Sequence, residues 1–290
     1  MDNTINLWVL PELPNESTGT DKPTVVHYPH FSTSAIHHDY VDCVMFYNDF
    51  ILSKCAREDL IVLWRVTGFS SSLPPPPPST APTTHERLET RSAFGDGYER
   101  LIQFSCPGTE PFYMRFGLFH PNLSYPPQYT PTFTHPVLAM GNVNSKISFW
   151  DFQQLVAFSQ PSAGEADGPP SRGGRGKKRP RFDLGTPREG SVSSSTPSSR
   201  GPSGSVSIGD RGGGAGGSST TDGAFDWPRR PGKKHDISDP LNKVEPHKTV
   251  TVPKIGFATR QIAWSACGEW MVVVGDNAVV AVFGRGEGSG

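Results

Sequence analysis

A polar turn followed by a strand-like run of apolar residues recurs at four places along the chain, and each run closes on or just after an aromatic residue. The four runs lie at residues 2–8, 58–64, 144–151 and 276–283, and each begins with a polar turn. Successive side chains of a strand point to opposite faces, so this pattern predicts β-strands with a buried face. Its return at intervals along the chain indicates a repeat architecture.

Further strand-like runs precede the last three copies of this pattern. They are Val41–Phe46 and Ile51–Ser53 before Trp64, Phe112–Leu118 and Val137–Gly141 before Trp150, and Gln261–Trp264 and Trp270–Asp276 before Phe283. Strands in this order are typical of the blades of WD-repeat propellers. The sequence therefore predicts an all-β fold, a partial WD-repeat β-propeller of about three blades plus a closing strand, with a long disordered insert.

The pattern also predicts how the chain is divided. The expected segments are the last strand of a preceding blade at 1–10, a blade at 36–68, a Pro/Ser-rich linker at 69–97, a blade at 98–152, a disordered basic Gly/Ser-rich insert at 153–247 and a C-terminal blade at 248–284. Propellers close with about four to eight blades. We therefore expect the chain to be the C-terminal part of a longer propeller, and a genuine short isoform is the alternative.

Composition agrees with a chain that is folded only in part. Only 34% of the residues are hydrophobic, while there are 31 Gly and 29 Pro. The net charge of -1 favours no class of partner for the chain as a whole. Neither an apolar run near 18 residues nor a secretory leader is found, which argues against a membrane partner.

Cysteine spacing offers little chemistry. The four cysteines, Cys43, Cys55, Cys106 and Cys267, show no Cys-x-x-Cys spacing, so free thiols are expected rather than a zinc site. The sequence also lacks a phosphate-binding loop and a nucleophile elbow, so neither an enzyme nor a cofactor is predicted. A metal at His37-His38-Asp39 is disfavoured because adjacent side chains diverge.

Two segments interrupt the predicted blades. The row Pro74–Pro78 is expected to be an extended, solvated spacer rather than a ligand of an SH3 domain. Residues 159–246 lack periodic apolar positions and are expected to be disordered.

The longer segment carries a basic run. Its residues are Arg172, Arg175, Lys177, Lys178, Arg179 and Arg181. Such a run predicts a nuclear localisation signal or a nucleic-acid contact through phosphates, and a merely solubilising linker is the alternative.

Several stretches of the chain resemble one known family. They are 30–44 with its Tyr40-Val41-Asp42-Cys43 block, Phe112–Phe116, Leu138–Asn142 with Trp150-Asp151, and Arg260-Gln261. Their order is similar to the C-terminal half of the embryonic ectoderm development (EED) family, the WD-repeat subunit of Polycomb repressive complex 2. The basic insert is not part of the resemblance.

The resemblance implies a non-catalytic chromatin scaffold in the nucleus. Its implied partners are a trimethyl-lysine histone H3 tail, the histone methyltransferase catalytic subunit and other Polycomb subunits. Phe112 and Tyr113 match an aromatic pair that forms half of the family's methyl-lysine cage, with Phe112 in place of Trp, and Arg260 matches a residue that supports the peptide. The alternative for Phe112 and Tyr113 is strand packing, in which at least one ring would be core. The alternative function is nuclear nucleic-acid binding through the insert.

Overall fold

The structure is a computed structural model that describes residues 3–83, 89–121, 135–158, 237–252 and 254–284. Its strands are β1 Ile5–Leu7, β2 Phe31–Thr33, β3 Val41–Tyr47, β4 Phe50–Cys55, β5 Leu60–Val66, β6 Thr90–Ser92, β7 Tyr98–Ser105, β8 Gly117–Phe119, β9 Val137–Gly141, β10 Lys146–Asp151, β11 Lys243–Val244, β12 Lys248–Thr251, β13 Thr259–Trp264, β14 Trp270–Gly275 and β15 Val280–Gly284. A 3₁₀ turn spans Pro78–Thr80, and one helix, α1, spans Phe152–Phe158. Within these described ranges, no helix has the length and apolarity needed to span a membrane.

The strands form four sheets, named here in the order in which their first strands occur along the chain. Their strand orders are β1-β2-β6, then β11-β7-β5-β4-β3, then β12-β10-β9-β8, and finally β13-β14-β15. The all-β fold class is confirmed, and the sheets are the blades of a partial WD-repeat propeller. Tight turns join neighbouring strands: Asn48 and Asn277, residues that tolerate a positive φ, occupy two of these turns.

The strand pairing places two blade boundaries differently from the prediction. Tyr98–Ser105, predicted to open the blade at 98–152, instead pairs with β5 and belongs to the preceding sheet. Similarly, β12 pairs with β10 and belongs to the sheet before the one predicted at 248–284. In each of these sheets, the fourth strand follows a long interruption of the chain, so local periodicity cannot reveal which sheet it joins.

The two interrupting segments also contain ordered structure. In the predicted linker at 69–97, β6 pairs with β2. In the predicted insert at 153–247, α1 follows β10 directly and β11 pairs in parallel with β7. The prediction of an unpaired linker therefore misses β6, and the disorder predicted for the insert is wrong at its two ends, while residues 159–236 lie outside the described part of the chain.

The two central sheets are covered on both faces. Along β5, Ile61 and Leu63 pack into the cluster shared with the third sheet, whereas Val62 and Trp64 pack into the cluster shared with the first. The third sheet repeats the arrangement, because Leu138 and Met140 of β9 face the second sheet while its other apolar residues face the last. Burial of both faces explains why these strands are apolar at almost every position.

The last sheet is covered on one face. Met271 and Val273 of β14 are buried against the third sheet. Their neighbours Trp270 and Val272 point to the other face and are exposed, as are Val280 and Val282 of β15. Apolar residues therefore lie on both sides of this sheet as well.

A chain of side-chain hydrogen bonds ties the second sheet together. The indole N–H of Trp64 donates to Ser53 Oγ at 2.9 Å, and Ser53 Oγ lies 2.8 Å from His37 Nε2. The other ring nitrogen, His37 Nδ1, lies 2.7 Å from Glu58 Oε2. This chain links the segment before β3 to β4, β5 and the turn between them.

The same residues include a set of atoms spaced for a metal. Donor atoms of His37, Cys55 and Glu58 lie within 4.8 Å of one another. However, both ring nitrogens of His37 already have protein partners, so the geometry fits a structural hydrogen-bond chain. Burial alone would raise the pKa of Glu58, but hydrogen bonds from His37, from the backbone N–H of His38 and from the Cys55 thiol lower it to about 2.

Gly141→Ala should destabilise the packing of the last two sheets. A Cβ at position 141 would lie 2.5 Å from the Cβ of Thr259, which is fully buried on β13. Overpacking of this kind lowers the free energy of unfolding by about 2 kcal/mol. Urea denaturation measures this change. Gly256→Ala is the matched control, because a Cβ there meets no atom within 4 Å. Equal stability of the two variants would contradict the described contact between β9 and β13.

Glu58 should make stability depend on acid pH. In the folded protein the pKa of Glu58 is about 2, below the ordinary value of 4.5. The ionised Glu58 side chain therefore stabilises the folded state fully above pH 4.5, and this contribution is lost as the pH falls towards 2. In urea denaturation at about pH 5 and about pH 3, Glu58→Gln should therefore lose less stability on acidification than wild type. Glu16→Gln, at an exposed position, is the control and should behave as wild type. The same pH dependence in all three proteins would contradict the role given to Glu58.

Candidate functional site

Three aromatic rings meet at one edge of the second and third sheets. The rings of Phe112 and Tyr113 lie with centroids 4.2 Å apart, and Tyr40 approaches Phe112 edge-on at 6.2 Å. Tyr113 is 60% exposed and Tyr40 is 40% exposed, whereas Phe112 is half-buried. We call Tyr40, Phe112 and Tyr113 the aromatic cluster; it presents ring surface to solvent.

The backbone explains why two consecutive rings can touch. Phe112 and Tyr113 were predicted to begin a strand, but they lie in a turn, and the strand begins only at Gly117. Tyr113 has a φ of 67°, which is uncommon for a bulky residue. The alternative of strand packing assumed that the two rings point to opposite faces of a strand. Because Phe112 and Tyr113 lie in a turn, their rings can instead contact each other.

A buried ion pair lies beneath Tyr113. Lys54 Nζ is 3.2 and 3.3 Å from the two carboxylate oxygens of Asp42, and neither side chain is exposed to solvent. The backbone N–H of Tyr113 donates to Asp42 Oδ2 at 3.1 Å. Burial raises the pKa of Asp42 above its ordinary value, although Lys54 and the Tyr113 N–H act in the opposite direction.

Arg260 reaches the aromatic cluster from β13. Its guanidinium donates to the carbonyl oxygen of Phe112 at 3.3 Å, and it lies 3.9 Å from Asp276 Oδ2. Its own carbonyl accepts the N–H of Arg115 at 3.1 Å. Arg260 therefore joins the turn that carries Phe112 and Tyr113 to the last sheet.

An open groove lies next to the exposed ring of Tyr113. Its lining residues are Tyr113, Arg115, Arg260 and Gln261. The structure thus brings Phe112 and Tyr113, predicted for a partial methyl-lysine cage, together with Arg260, predicted to support the peptide. It adds a basic surface beside them.

Other parts of this site were not found from the sequence. Tyr40 was quoted only within a block that carries the family resemblance, and Asp42, Lys54 and Arg115 were not singled out as site residues. Tyr40, Asp42 and Lys54 lie far from Phe112 and Tyr113 along the chain, so sequence spacing could not predict that they are close in the structure, whereas Arg115 lies two residues after Tyr113. The predicted basic residues, Arg172, Arg175, Lys177, Lys178, Arg179 and Arg181, lie outside the described residues.

The cysteines near the site are poor nucleophiles. Burial raises the pKa of Cys43 to about 11 and that of Cys106 to about 12, so both thiols are protonated at neutral pH. The aromatic cluster and the neighbouring arginines can recognise a ligand, because ring faces attract a cation and arginine N–H groups donate to the backbone or acidic groups of a ligand.

The chain is similar in sequence to curated Polycomb proteins. It is 41% identical over 186 residues to Polycomb protein EED of Chaetomium thermophilum and 30% identical over 164 residues to Polycomb protein esc of Drosophila melanogaster. These matches cover 60% and 52% of the chain, and 31% and 32% of the relatives. The chain thus spans about a third of the length of these relatives. No protein-family model matches it.

Solved structures give the same result. A crystal structure of the Chaetomium thermophilum Polycomb repressive complex 2 matches with a TM-score of 0.63 and 28% identity, over 98% of the chain and 58% of its counterpart. A structure of that complex with H3K27me3 matches with a TM-score of 0.62 and 28% identity, over the same shares of both chains. The resemblance predicted from the sequence is therefore confirmed, and over its matched part the chain is similar to the EED family of Polycomb proteins.

Proposed function

We propose that the chain is a non-catalytic chromatin scaffold that binds a trimethyl-lysine histone H3 tail through the aromatic cluster. The observation that carries the proposal is the packing of Phe112 against Tyr113, with Tyr113 mostly exposed beside a groove lined by arginines. A relative's structure contains H3K27me3, which supports a histone ligand for this chain.

The chemistry of the ligand fits the aromatic cluster. A trimethylammonium group is cationic but has no N–H to donate, so hydrogen-bond acceptors cannot recognise it specifically. An aromatic ring face attracts it with about 0.5 to 2 kcal/mol. Tyr113 offers such a face, Phe112 supports it, and Tyr40 adds a third ring at the rim. The chain supplies part of a cage, since the resemblance implies further cage aromatics outside the matched segments.

Arg260 has a supporting role in this proposal. One guanidinium nitrogen holds the carbonyl of Phe112, which stabilises the turn that presents the rings. The groove that Arg260 lines with Arg115 and Gln261 continues from Tyr113. A peptide that places its trimethyl-lysine on Tyr113 would lie along this groove, where arginine N–H groups can donate to peptide carbonyls.

The wider assembly is part of the same proposal. Similarity to chains solved within Polycomb repressive complex 2 supports association with the histone methyltransferase catalytic subunit and other subunits of such a complex. A protein that binds chromatin would act in the nucleus, so the proposal includes a nuclear location. Nucleic-acid binding through the basic run stays a prediction from the sequence.

Tyr113→Ala should weaken binding of a trimethyl-lysine histone H3 peptide by about tenfold, because one cation–π contact worth about 1.4 kcal/mol is lost. Isothermal titration of the 290-residue chain measures the change. Tyr113→Phe should retain most of the affinity, since the ring face remains. Tyr28→Ala is the control, at an exposed tyrosine outside the aromatic cluster. Equal binding of trimethylated and unmodified peptides, or full affinity in Tyr113→Ala, would contradict the proposal.

A further inference from the structure

The ion pair of Asp42 and Lys54 is the described buried charge pair nearest to the aromatic cluster. Both side chains are fully removed from solvent. Lys54 Nζ has three acceptors: both carboxylate oxygens of Asp42, and the carbonyl of Cys55 at 3.2 Å. An ammonium group has three donors, so all of its donors are used. Burying such a pair is often no more stabilising than apolar packing, so its presence calls for a reason other than stability.

One hydrogen bond connects this pair to the surface. The N–H of Tyr113 donates to Asp42 Oδ2 at 3.1 Å. Tyr113 adopts a φ of 67° and its side chain is 60% exposed, so burial of the ring does not hold it in place. A bulky residue in this backbone region persists only where its surroundings fix it.

We propose that Asp42 positions Tyr113 for its ligand: its side-chain oxygen accepts the backbone N–H of Tyr113, and Lys54 neutralises the buried charge that this acceptor carries. The identity of the ligand rests on the proposed function, whereas the hydrogen bond between Tyr113 and Asp42 does not. Asp42 is a positioning residue that acts through Tyr113, and the trimethylammonium group contacts neither Asp42 nor Lys54.

Two neutral double variants separate the hydrogen bond from the charge. Asp42→Asn with Lys54→Met keeps an amide oxygen that can accept the Tyr113 N–H. Asp42→Ala with Lys54→Met removes that acceptor. Both variants remove the two charges, so neither leaves an unpaired buried ion.

The position of Tyr113 can be measured without a ligand. In the full chain labelled with 3-fluorotyrosine, the ¹⁹F resonance of Tyr113 is assigned by its loss in Tyr113→Phe, and that of buried Tyr47 reports the integrity of the core. We expect the Asn/Met variant to keep the Tyr113 resonance and the affinity for the trimethyl-lysine peptide. The Ala/Met variant should shift or broaden that resonance and bind the peptide about tenfold more weakly, with Tyr47 unchanged.

Each result has a defined meaning. An unchanged Tyr113 resonance in the Ala/Met variant, or an equal effect of both double variants, overturns the positioning role. If the Tyr113 resonance moves only in the Ala/Met variant but wild type binds no peptide, the positioning role stands and the proposed function fails. If the Ala/Met variant loses the Tyr47 resonance, hydrogen exchange in wild type decides: we expect the Tyr113 amide to exchange at least about tenfold more slowly than an unbonded amide, and free exchange overturns the proposal.

Discussion

Burial of both faces of the two central sheets is the constraint on which the rest of the structure depends. Alternate residues of β5 pack in opposite directions, Leu63 towards the third sheet and Trp64 towards the first. A strand that must supply two interfaces cannot alternate apolar with polar residues. The sheets therefore stack in chain order, and the segments between them meet at shared edges.

The aromatic cluster is a product of that stacking. Tyr40 precedes the first strand of the second sheet, Phe112 and Tyr113 precede the first strand of the third, and Arg260 lies on the first strand of the last. None of these elements forms the site alone. Asp42 and Arg260 join the turn between β7 and β8 to the second and last sheets, so packing between blades and the presentation of the rings are coupled.

The sequence predicted the strands well and their partners poorly. Val137–Gly141 was predicted with the bounds that the structure has, because its apolar run ends at clear turn signals. The fourth strands β7 and β12 were assigned to the wrong sheets. Each follows a long interrupting segment, and the sequence of that segment does not indicate which strand the chain pairs with next. Phe112 and Tyr113 were chosen through the family resemblance. Their contact depends on a positive φ at Tyr113, and the place of Tyr40 depends on tertiary packing, which local patterns do not encode.

An experimental structure of the full chain bound to a trimethyl-lysine histone H3 peptide tests this account most directly. The account predicts that the trimethylammonium group lies against the ring of Tyr113, with Phe112 and Tyr40 beside it and the peptide along the groove of Arg115 and Arg260. Density for the trimethylammonium group at another surface, with Tyr113 free of ligand, would contradict it.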